Sequence, residues 1–296
     1  MKPSIVWGLD IGGTKTALCA ADEQGSILCR HELPTAQSAS WEVLLVQLLA
    51  WGRDNAPPPR AIGVSCGGPL DSRTGRILSP PNLPGWDDVP VTEWLRRQLH
   101  VPAFLQNDAN ACALAEWRYG AGRGTRNMVF LTFGTGLGAG LILNGQLYEG
   151  TNGMAGEIGH IRMAEDGPMG YGKRGSLEGF CSGGGLRQLG GKSARELCAL
   201  ADWQDEHAIA VLRQSAEMLG AGLAILVDLL NPERIVIGSI YVRAQRWFCR
   251  DMERVLAREA LEQSRAVCSV VPAALGESLG DMAAVTVAWN GLKDQP

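Results

Sequence analysis

The 296-residue sequence lacks the features that would mark three other classes of protein. No cluster of Lys and Arg stands out, and the net charge of −4 offers no broad basic surface to nucleic acid. No C-x-x-C pair occurs among the eight cysteines, which favours buried thiols in a reducing compartment over a disulfide framework or a metal knuckle. No apolar run approaches the ~20 residues of a membrane span, and Asp10 interrupts the N-terminal one before a signal peptide forms. We therefore expect a soluble, cytoplasmic protein that binds neither nucleic acid nor membranes.

The sequence does contain an internal repeat of architecture. The order strand, glycine turn, strand, tight turn, strand occurs twice, once from residue 5 and once from residue 127, and strands then alternate with helices. This alternation predicts an α/β protein of two lobes, each with a glycine turn, on either side of a cleft. The predicted strands are 5–9, 16–21, 26–33, 61–65, 102–106, 127–133, 138–143, 146–148, 234–237 and 266–271, and the predicted helices are 41–51, 92–99, 111–119, 205–230, 241–258 and 281–290.

The first glycine turn, residues 10–15, has the composition of a phosphate-binding loop. Gly12 and Gly13 let backbone N–H groups approach an anion, because neither carries a Cβ atom. Thr14 adds a hydroxyl donor, Lys15 adds a positive charge, and Asp10 is suited to hold a hydrated Mg²⁺. A plain hairpin turn explains this segment equally well when it is taken alone.

The second glycine turn, residues 132–138, superficially matches a dinucleotide fingerprint through Gly134, Gly136 and Ala139. A Rossmann turn must open a helix, however, and residues 141–145 read as strand and hairpin turn, so NAD binding is disfavoured. The Walker-like residues 190–193 are a coincidence, because Leu186 stands where that motif needs a glycine. The second turn is therefore also read as a phosphate loop.

Asp108 stands between the two repeats, where a predicted strand runs into a predicted helix. A helix N-cap is the simpler explanation of this segment alone, since Asp and Asn are favoured at that position. A carboxylate at the floor of a cleft can also reach a substrate hydroxyl, and the position between two phosphate turns favours a general base.

Three polar residues of a glycine-rich segment form a further candidate site. Glu157 and Glu178 offer acceptors, and His160 can donate or accept a hydrogen bond. Each residue by itself is explained by solvation or by a loop position. Together they indicate a site for a polyhydroxylated ligand, whose hydroxyls need fixed polar partners.

In combination these segments resemble the ROK family of bacterial sugar kinases, which lies in the hexokinase, Hsp70 and actin superfamily. The resemblance covers nearly the whole chain in five ordered segments: 10–15, 82–86, 107–110, 134–138 and 156–160. It implies an α/β, actin-like (ribonuclease H-like) two-lobed fold of duplicated βββαβα units around a central cleft. The small lobe would comprise residues 1–107 plus 281–296, and the larger lobe residues 108–280.

The same resemblance implies an activity and a role for each matching residue. ATP, with Mg²⁺, would phosphorylate the primary 6-hydroxyl of a hexose such as glucose or mannose, and Asp108 would be the general base. Family members are commonly oligomers, so a homodimer is expected. The sugar-binding residues would be Gly68, Asn82, Asn107, Asp108, Glu157, His160 and Glu178, and the nucleotide-binding residues Asp10, Gly12, Gly13, Thr14, Lys15, Gly134, Thr135, Gly136 and Gly238.

Two departures from the family pattern bear on the site. Met169, Tyr171 and Ser176 occupy the positions of three zinc-binding cysteines, so no structural zinc is expected and packing alone must order the sugar loop. Ser239 follows Gly238 where a glycine pair usually lines the adenosine pocket, which predicts altered nucleotide binding.

Three alternative functions remain beside hexose phosphorylation. The residues equally suit an N-acetylhexosamine, namely N-acetylglucosamine or N-acetylmannosamine. A catalytically silent sugar sensor or regulator is a second alternative. A sugar-responsive repressor is disfavoured, because the first phosphate motif begins at residue 10 and leaves no room for a DNA-binding domain before it.

Overall fold

The computed structural model describes residues 4–293, which form ten α-helices and fourteen strands. In chain order the elements are β1 (Val6–Ile11), β2 (Lys15–Ala21), β3 (Ile27–Pro34), α1 (Trp41–Asn55), β4 (Ile62–Cys66), β5 (Leu70–Asp71), β6 (Arg76–Ile77), α2 (Val91–Leu99), β7 (Ala103–Asn107), α3 (Asp108–Tyr119), β8 (Met128–Phe133), β9 (Leu137–Leu143), β10 (Gln146–Leu147), β11 (Met169–Gly170), β12 (Lys173–Arg174), α4 (Leu177–Phe180), α5 (Gly183–Gly190), α6 (Ala194–Asp202), α7 (Glu206–Leu230), β13 (Arg234–Ile237), α8 (Ile240–Glu259), α9 (Glu262–Ala266), β14 (Ser269–Pro272) and α10 (Leu279–Lys293). Single turns of 3₁₀-helix lie at Thr35–Gln37, Ile158–His160 and Gly276–Ser278.

Two five-stranded sheets repeat one plan. Their strand orders are β3-β2-β1-β4-β7 and β10-β9-β8-β13-β14. In each sheet three consecutive strands pair antiparallel. A later strand then pairs in parallel with the first of the three, and a further strand pairs in parallel with that one. The predicted repeat of architecture is thus present in the sheets.

The chain divides into two compact units. The first unit runs to Tyr119 and resumes at Leu275, and the second unit is Gly120–Ala274. The sequence placed these boundaries at 107/108 and 280/281. The later first boundary follows from packing, because α3 buries its alanines against α10 in one cluster. Residues 1–3 and 294–296 of the predicted small lobe lie outside the described part of the chain.

The first unit has its core on both faces of its sheet. Successive side chains of a strand point to opposite faces, so Trp7 and Leu9 pack in the cluster of α1, while Val6 packs in that of α10. Gly8 lets α10 approach closely, since a Cβ there would lie 2.8 Å from the Val285 nitrogen. This close approach holds the start of α10 near the end of β1.

The second unit is built around α7. Its side chains and those of α8 cover β8 and β13, with Leu223 and Phe248 fully buried. By length and composition α7 could also cross a membrane, but 56% of its most apolar stretch is buried inside the protein, as is typical of a core helix.

Several sequence predictions differ from the structure at element level, and helix α6 and the two-residue strands β5, β6, β11 and β12 were not predicted. The helix predicted from residue 111 already begins at Asp108. The strand predicted over 266–271 begins at Ser269, because the residues before it form α9. The glycine-rich segment also contains the short helices α4 and α5, whose first turns are capped by the hydroxyls of Ser176 and Ser182.

Candidate functional site

Three parallel strands of the first unit end at the same sheet edge and bring their terminal residues together. Asp10 pairs in register with Ser65 of β4, and Cys66 pairs with Asn107 of β7. The predicted base, Asp108, directly follows β7. Polar residues from three strand ends therefore meet at one edge, the usual place for a site in such sheets.

Asp10 lies in a recess at this edge against the first residues of α10. A Cβ atom on Gly280 would overlap the Asp10 carboxylate, so the glycine makes room for it. Burial, then the negative charges of Asp281 and Asp108, raise the pKa of Asp10 from 3.8 to about 6, while Arg30 opposes the shift. A cation beside Asp10 would relieve this accumulation of negative charge.

The turn that follows Asp10 is closed by its own backbone and lies against the predicted sugar residue Asn82. The Gly12 N–H donates to the Lys15 carbonyl at 3.1 Å. A Cβ on Gly13 would lie 2.6 Å from the Asn82 carbonyl oxygen, which explains the need for glycine there. Thr14 is exposed, and Lys15 forms an exposed ion pair of 3.0 Å with Glu32.

Asp108 is the first residue of α3, and the residue is exposed to solvent. Its Oδ1 accepts a hydrogen bond of 2.8 Å from the Ala109 N–H, and the Asn107 Oδ1 accepts from the same group at 3.0 Å. The surrounding protein displaces water and raises the pKa of Asp108 above its usual range, although the Ala109 N–H opposes the shift. A carboxylate that is both reachable and more basic than usual suits a general base.

The two glycines that follow β4, Gly67 and Gly68, border Asp108 and Asn107. A Cβ on the predicted sugar residue Gly68 would lie 3.6 Å from the Asn107 Nδ2 atom. A Cβ on Gly67, which the sequence interpretation left out, would lie 3.9 Å from the Asp108 Oδ2 atom. The first unit thus brings Asp10, Gly12, Gly13, Gly68, Asn82, Asn107 and Asp108 to one region.

A buried amide pair below Asp108 was missed as a functional feature. The Gln106 Oε1 atom accepts from the Asn107 N–H at 2.8 Å and from the Asn110 Nδ2 at 3.1 Å. Both amide residues are buried, so the bonds fix the strand end to the first helical turn. Their polar character at a strand end was the one available sequence signal.

The second unit forms its glycine turn between β8 and β9. The Gly134 carbonyl accepts from the Gly183 N–H at 2.7 Å, and the Thr135 carbonyl accepts from the Gly184 N–H at 3.3 Å. The turn is thereby tied to the start of α5. The Gly183 and Gly184 N–H groups are engaged in these bonds, so the start of α5 fixes the position of the glycine turn.

Glu178 ties the predicted sugar loop to this same turn. Its Oε2 atom accepts from the Leu137 N–H at 3.0 Å, and a Cβ on Gly136 would lie 2.7 Å from that oxygen. Gly159 packs its backbone against the Leu137 carbonyl, next to His160. Glu157, His160 and Glu178 therefore belong to one cluster, with Glu157 and His160 exposed and Glu178 half-buried.

Hydrogen bonds order the sugar loop of the second unit around a short hairpin of β11 and β12. The Gln188 side chain both accepts from the Met169 N–H and donates to the Met169 carbonyl, each at 2.8 Å. The Ser176 hydroxyl donates to the Gly170 carbonyl at 3.1 Å, and the Lys173 Nζ donates to the His160 carbonyl at 2.7 Å. Side-chain bonds thus supplement packing in this loop.

A cavity of about 950 Å³ opens beside the second glycine turn. Gly134, Thr135 and Ser239 line one end of it. Gly238, which precedes Ser239, is buried against Phe130 and does not line the cavity. The charged residues of the wall are mostly cationic, with four arginines and one carboxylate: Arg187, Arg195, Arg243, Arg246 and Asp202.

Ser239 has an unusual backbone at the start of α8. Its φ of 57° and ψ of −116° lie where glycine is favoured, so the serine is strained there. Its hydroxyl oxygen lies 3.6 Å from the position of a Cβ on Gly134. The side chain predicted to alter the nucleotide pocket therefore borders the phosphate turn.

Among residues 4–293 no group of three or more His, Cys, Asp or Glu side chains is arranged to hold a metal ion. The positions of the family's zinc ligands, Met169, Tyr171 and Ser176, lie on or beside the β11–β12 hairpin. A hydrated Mg²⁺ that contacts the protein through few groups still fits the single carboxylate of Asp10, whose neighbours are negatively charged.

Comparison with known proteins gives consistent likenesses. The model of the ROK family matches residues 6–290. The glucokinase of Halalkalibacterium halodurans is 33% identical over 261 residues, 78% of this chain and 79% of that protein. The N-acetylmannosamine kinase of Escherichia coli O9:H4 (strain HS) is 32% identical over 257 residues, which are 85% of this chain and 88% of that protein.

A solved structure extends this likeness to the fold. The ROK hexokinase of Thermus thermophilus superposes with a TM-score of 0.88 at 32% identity, covering 98% of this chain and 100% of that one. The predicted α/β, actin-like fold is confirmed.

Proposed function

Because the chain belongs to the ROK family, we propose that it is an ATP-dependent sugar kinase that phosphorylates the primary 6-hydroxyl of a hexose such as glucose or mannose. The observation that carries this proposal is Asp108, an exposed residue whose carboxyl pKa is raised, at the shared end of three strands. Relatives that are named glucokinase and hexokinase support the substrate class.

In the proposed reaction Asp108 accepts the proton of the sugar hydroxyl as its oxygen attacks the γ-phosphorus of ATP. The bond between that phosphorus and the β–γ bridging oxygen breaks, and ADP leaves. Asn107, hydrogen-bonded to the same N–H as Asp108, keeps the base oriented. Gly68, Asn82, Asn107, Glu157, His160 and Glu178 are proposed to hold the sugar.

The donor is proposed to bind the cavity of the second unit. The turn of Gly134, Thr135 and Gly136, tied to the start of α5, would receive phosphate groups. The arginines of the wall provide positive charge for an anionic nucleotide, and Arg246 forms an ion pair of 2.6 Å with Asp202. The nucleotide role of Gly238 would be indirect, through the position of Ser239.

The first phosphate loop is proposed to contribute Asp10, Gly12, Gly13, Thr14 and Lys15 to the donor phosphates. Mg²⁺, held through water by Asp10, would neutralise phosphate charge. Lys15 must exchange its exposed partner Glu32 for a phosphate, which costs little because exposed ion pairs are weak.

The proposal is tested by incubating the protein with ATP, Mg²⁺ and a panel of hexoses, with products identified by ³¹P NMR. We expect ADP and a sugar 6-phosphate in equal amounts. ATP hydrolysis alone, or no sugar phosphate from any hexose, would contradict the proposal. Sugar binding without turnover would instead favour a non-catalytic sugar sensor.

An N-acetylhexosamine is the second candidate substrate, supported by the likeness to an N-acetylmannosamine kinase. The values of kcat/KM for glucose, mannose, N-acetylglucosamine and N-acetylmannosamine separate the two candidates. A higher value for either N-acetylated sugar would reassign the substrate and leave the reaction unchanged.

We also propose a cytoplasmic homodimer. Large apolar side chains stand exposed in the second unit near the end of α7 and at the two ends of α9: Leu229 (74%), Leu261 (62%) and Val267 (60%). The Leu261 N–H donates to the Asp228 carboxylate at 3.0 Å, which joins the two elements. Light scattering of Leu229→Lys beside wild type tests this, and a wild-type monomer would contradict it.

A further inference from the structure

Two hairpins of the second unit have turns of the same backbone shape but different sequence. Asn144 and Gly145 connect β9 to β10 with φ of 54° and 78°. Tyr171 and Gly172 connect β11 to β12 with φ of 53° and 71°. Two positive φ values define a type I′ turn, whose first position favours Asn, Asp or Gly. Tyr171 is therefore the wrong residue type for its own turn.

The strain at Tyr171 is not compensated by burial of its ring. The side chain is 63% exposed, so it adds little to the core of the unit. A residue other than glycine in the left-handed region has an energetic cost, and such residues persist where the side chain is needed. The position of the Tyr171 ring therefore bears on the role of this side chain.

The ring of Tyr171 stands among the three residues proposed to bind the sugar. It meets the His160 ring edge to face, with 5.6 Å between centroids. The carboxylates of Glu157 and Glu178 are near enough to raise the pKa of the tyrosine hydroxyl, Glu157 most strongly. An exposed aromatic face beside hydrogen-bonding groups is suited to the C–H surface of a sugar ring.

The hairpin that presents Tyr171 is held in place from several sides. The bonds of Gln188 to Met169 and of Ser176 to Gly170 fix the strand before the turn. Lys173, after the turn, donates to the carbonyl of His160. These hydrogen bonds therefore hold the Tyr171 ring in place beside Glu157, His160 and Glu178.

We propose that Tyr171 is a sugar-contacting residue, whose ring beside His160 forms an apolar wall against the C–H groups of the bound hexose. This inference rests on the proposed kinase function. Residue 171 stands where zinc-bearing family members have a zinc ligand, and we assign it to substrate recognition. The strained turn is retained because the Tyr171 side chain faces the sugar.

The test compares wild type with Tyr171→Asn and Tyr171→Phe. Asn suits the turn and removes the ring, so the melting temperature should rise while the sugar KM increases roughly three- to tenfold, the range for one aromatic contact. The KM for ATP and kcat should stay within about twofold, because the change affects sugar binding alone. Phe should keep the wild-type sugar KM. The matched control is Tyr148→Asn, at another exposed tyrosine of the same unit.

Several results would overturn the inference. An unchanged sugar KM in Tyr171→Asn, with wild type active, would remove Tyr171 from the site and leave the kinase function standing. A lower melting temperature with KM raised for both substrates would show a structural role instead. A wild type that phosphorylates no sugar removes the proposed function and this inference together.

Discussion

The two units share a sheet plan but differ in the charge they place beside their glycine turns. At the end of β1 the first unit collects the carboxylates of Asp10, Asp108 and Asp281 near one another. Beside the turn after β8 the second unit has a cavity with four arginines and one carboxylate in its wall. The common topology therefore does not dictate the chemistry, which depends on the side chains added to each copy.

This contrast assigns different tasks to the copies. An acidic strand edge is suited to take up a proton and to attract a cation, and a basic cavity is suited to bind an anionic donor. Substitutions at the acidic edge should therefore change proton transfer and the Mg²⁺-dependent step, and substitutions in the basic cavity should change donor binding.

Apart from loss of the proposed base Asp108, Asp10→Asn should have the largest effect, and it should act in opposite directions on stability and activity. Folding raises the pKa of Asp10 from 3.8 to about 6, so the stability that this group provides at low pH is lost as the pH rises through about 6. At pH 7.5 the ionised Asp10 lowers the free energy of unfolding by about 2–3 kcal/mol, and asparagine would recover this stability. Turnover should fall by about 10²-fold or more. Urea unfolding and kcat measure the two effects, with the exposed Asp54→Asn as control.

A less stable Asp10→Asn protein would contradict the account of this edge. Full activity in the variant would remove Asp10 from the phosphate site, whatever its stability.

Glu178→Gln should have the next largest effect, in the second unit. The substitution keeps an acceptor for the Leu137 N–H but removes the charge that strengthens the bond and serves a sugar hydroxyl. We expect kcat/KM to fall about 10- to 100-fold. Glu165→Gln, at an exposed site of the same glycine-rich segment, should match wild type. Equal values for Glu178→Gln and wild type would separate Glu178 from the sugar site.

At acidic pH, kcat/KM should fall because carboxylates of the first unit become protonated. Asp10 titrates at about 6 and the pKa of Asp108 is raised, and both must be ionised for the proposed roles. Below about pH 6, kcat/KM should therefore fall by at least about tenfold per pH unit. A profile that stays flat to pH 5 would contradict these roles.

Ser239→Gly should have the smallest effect. Glycine adopts the backbone of residue 239 without strain, so the protein should gain about 1 kcal/mol of stability. Because the residue lines the donor cavity, the KM for ATP should shift slightly and the KM for sugar should stay constant. Thermal unfolding and both KM values test this, and a loss of stability would show that the serine hydroxyl outweighs the strain.

The sequence predicted much of this contrast, because its signals are local. Short apolar runs and the glycine turns between them revealed both copies of the sheet plan. It did not reveal the pairing of Asp281 with Arg30, at 2.7 Å, since the two residues lie far apart in the chain. The helices of the glycine-rich segment were also missed, because serine caps and packing form them against poor helix propensity. The strain at Tyr171 required backbone angles, which no sequence pattern shows.

The central claim, that Asp108 is the base of a sugar kinase, is tested most directly with Asp108→Asn. Asparagine retains an acceptor for the Ala109 N–H, so the start of α3 should keep its shape. We measure turnover with ATP and sugar, and calorimetric sugar binding on the same preparation. The account predicts a kcat lower by about 10²–10⁴-fold with sugar affinity retained. Turnover within a few-fold of wild type, with the sugar still bound, would contradict it.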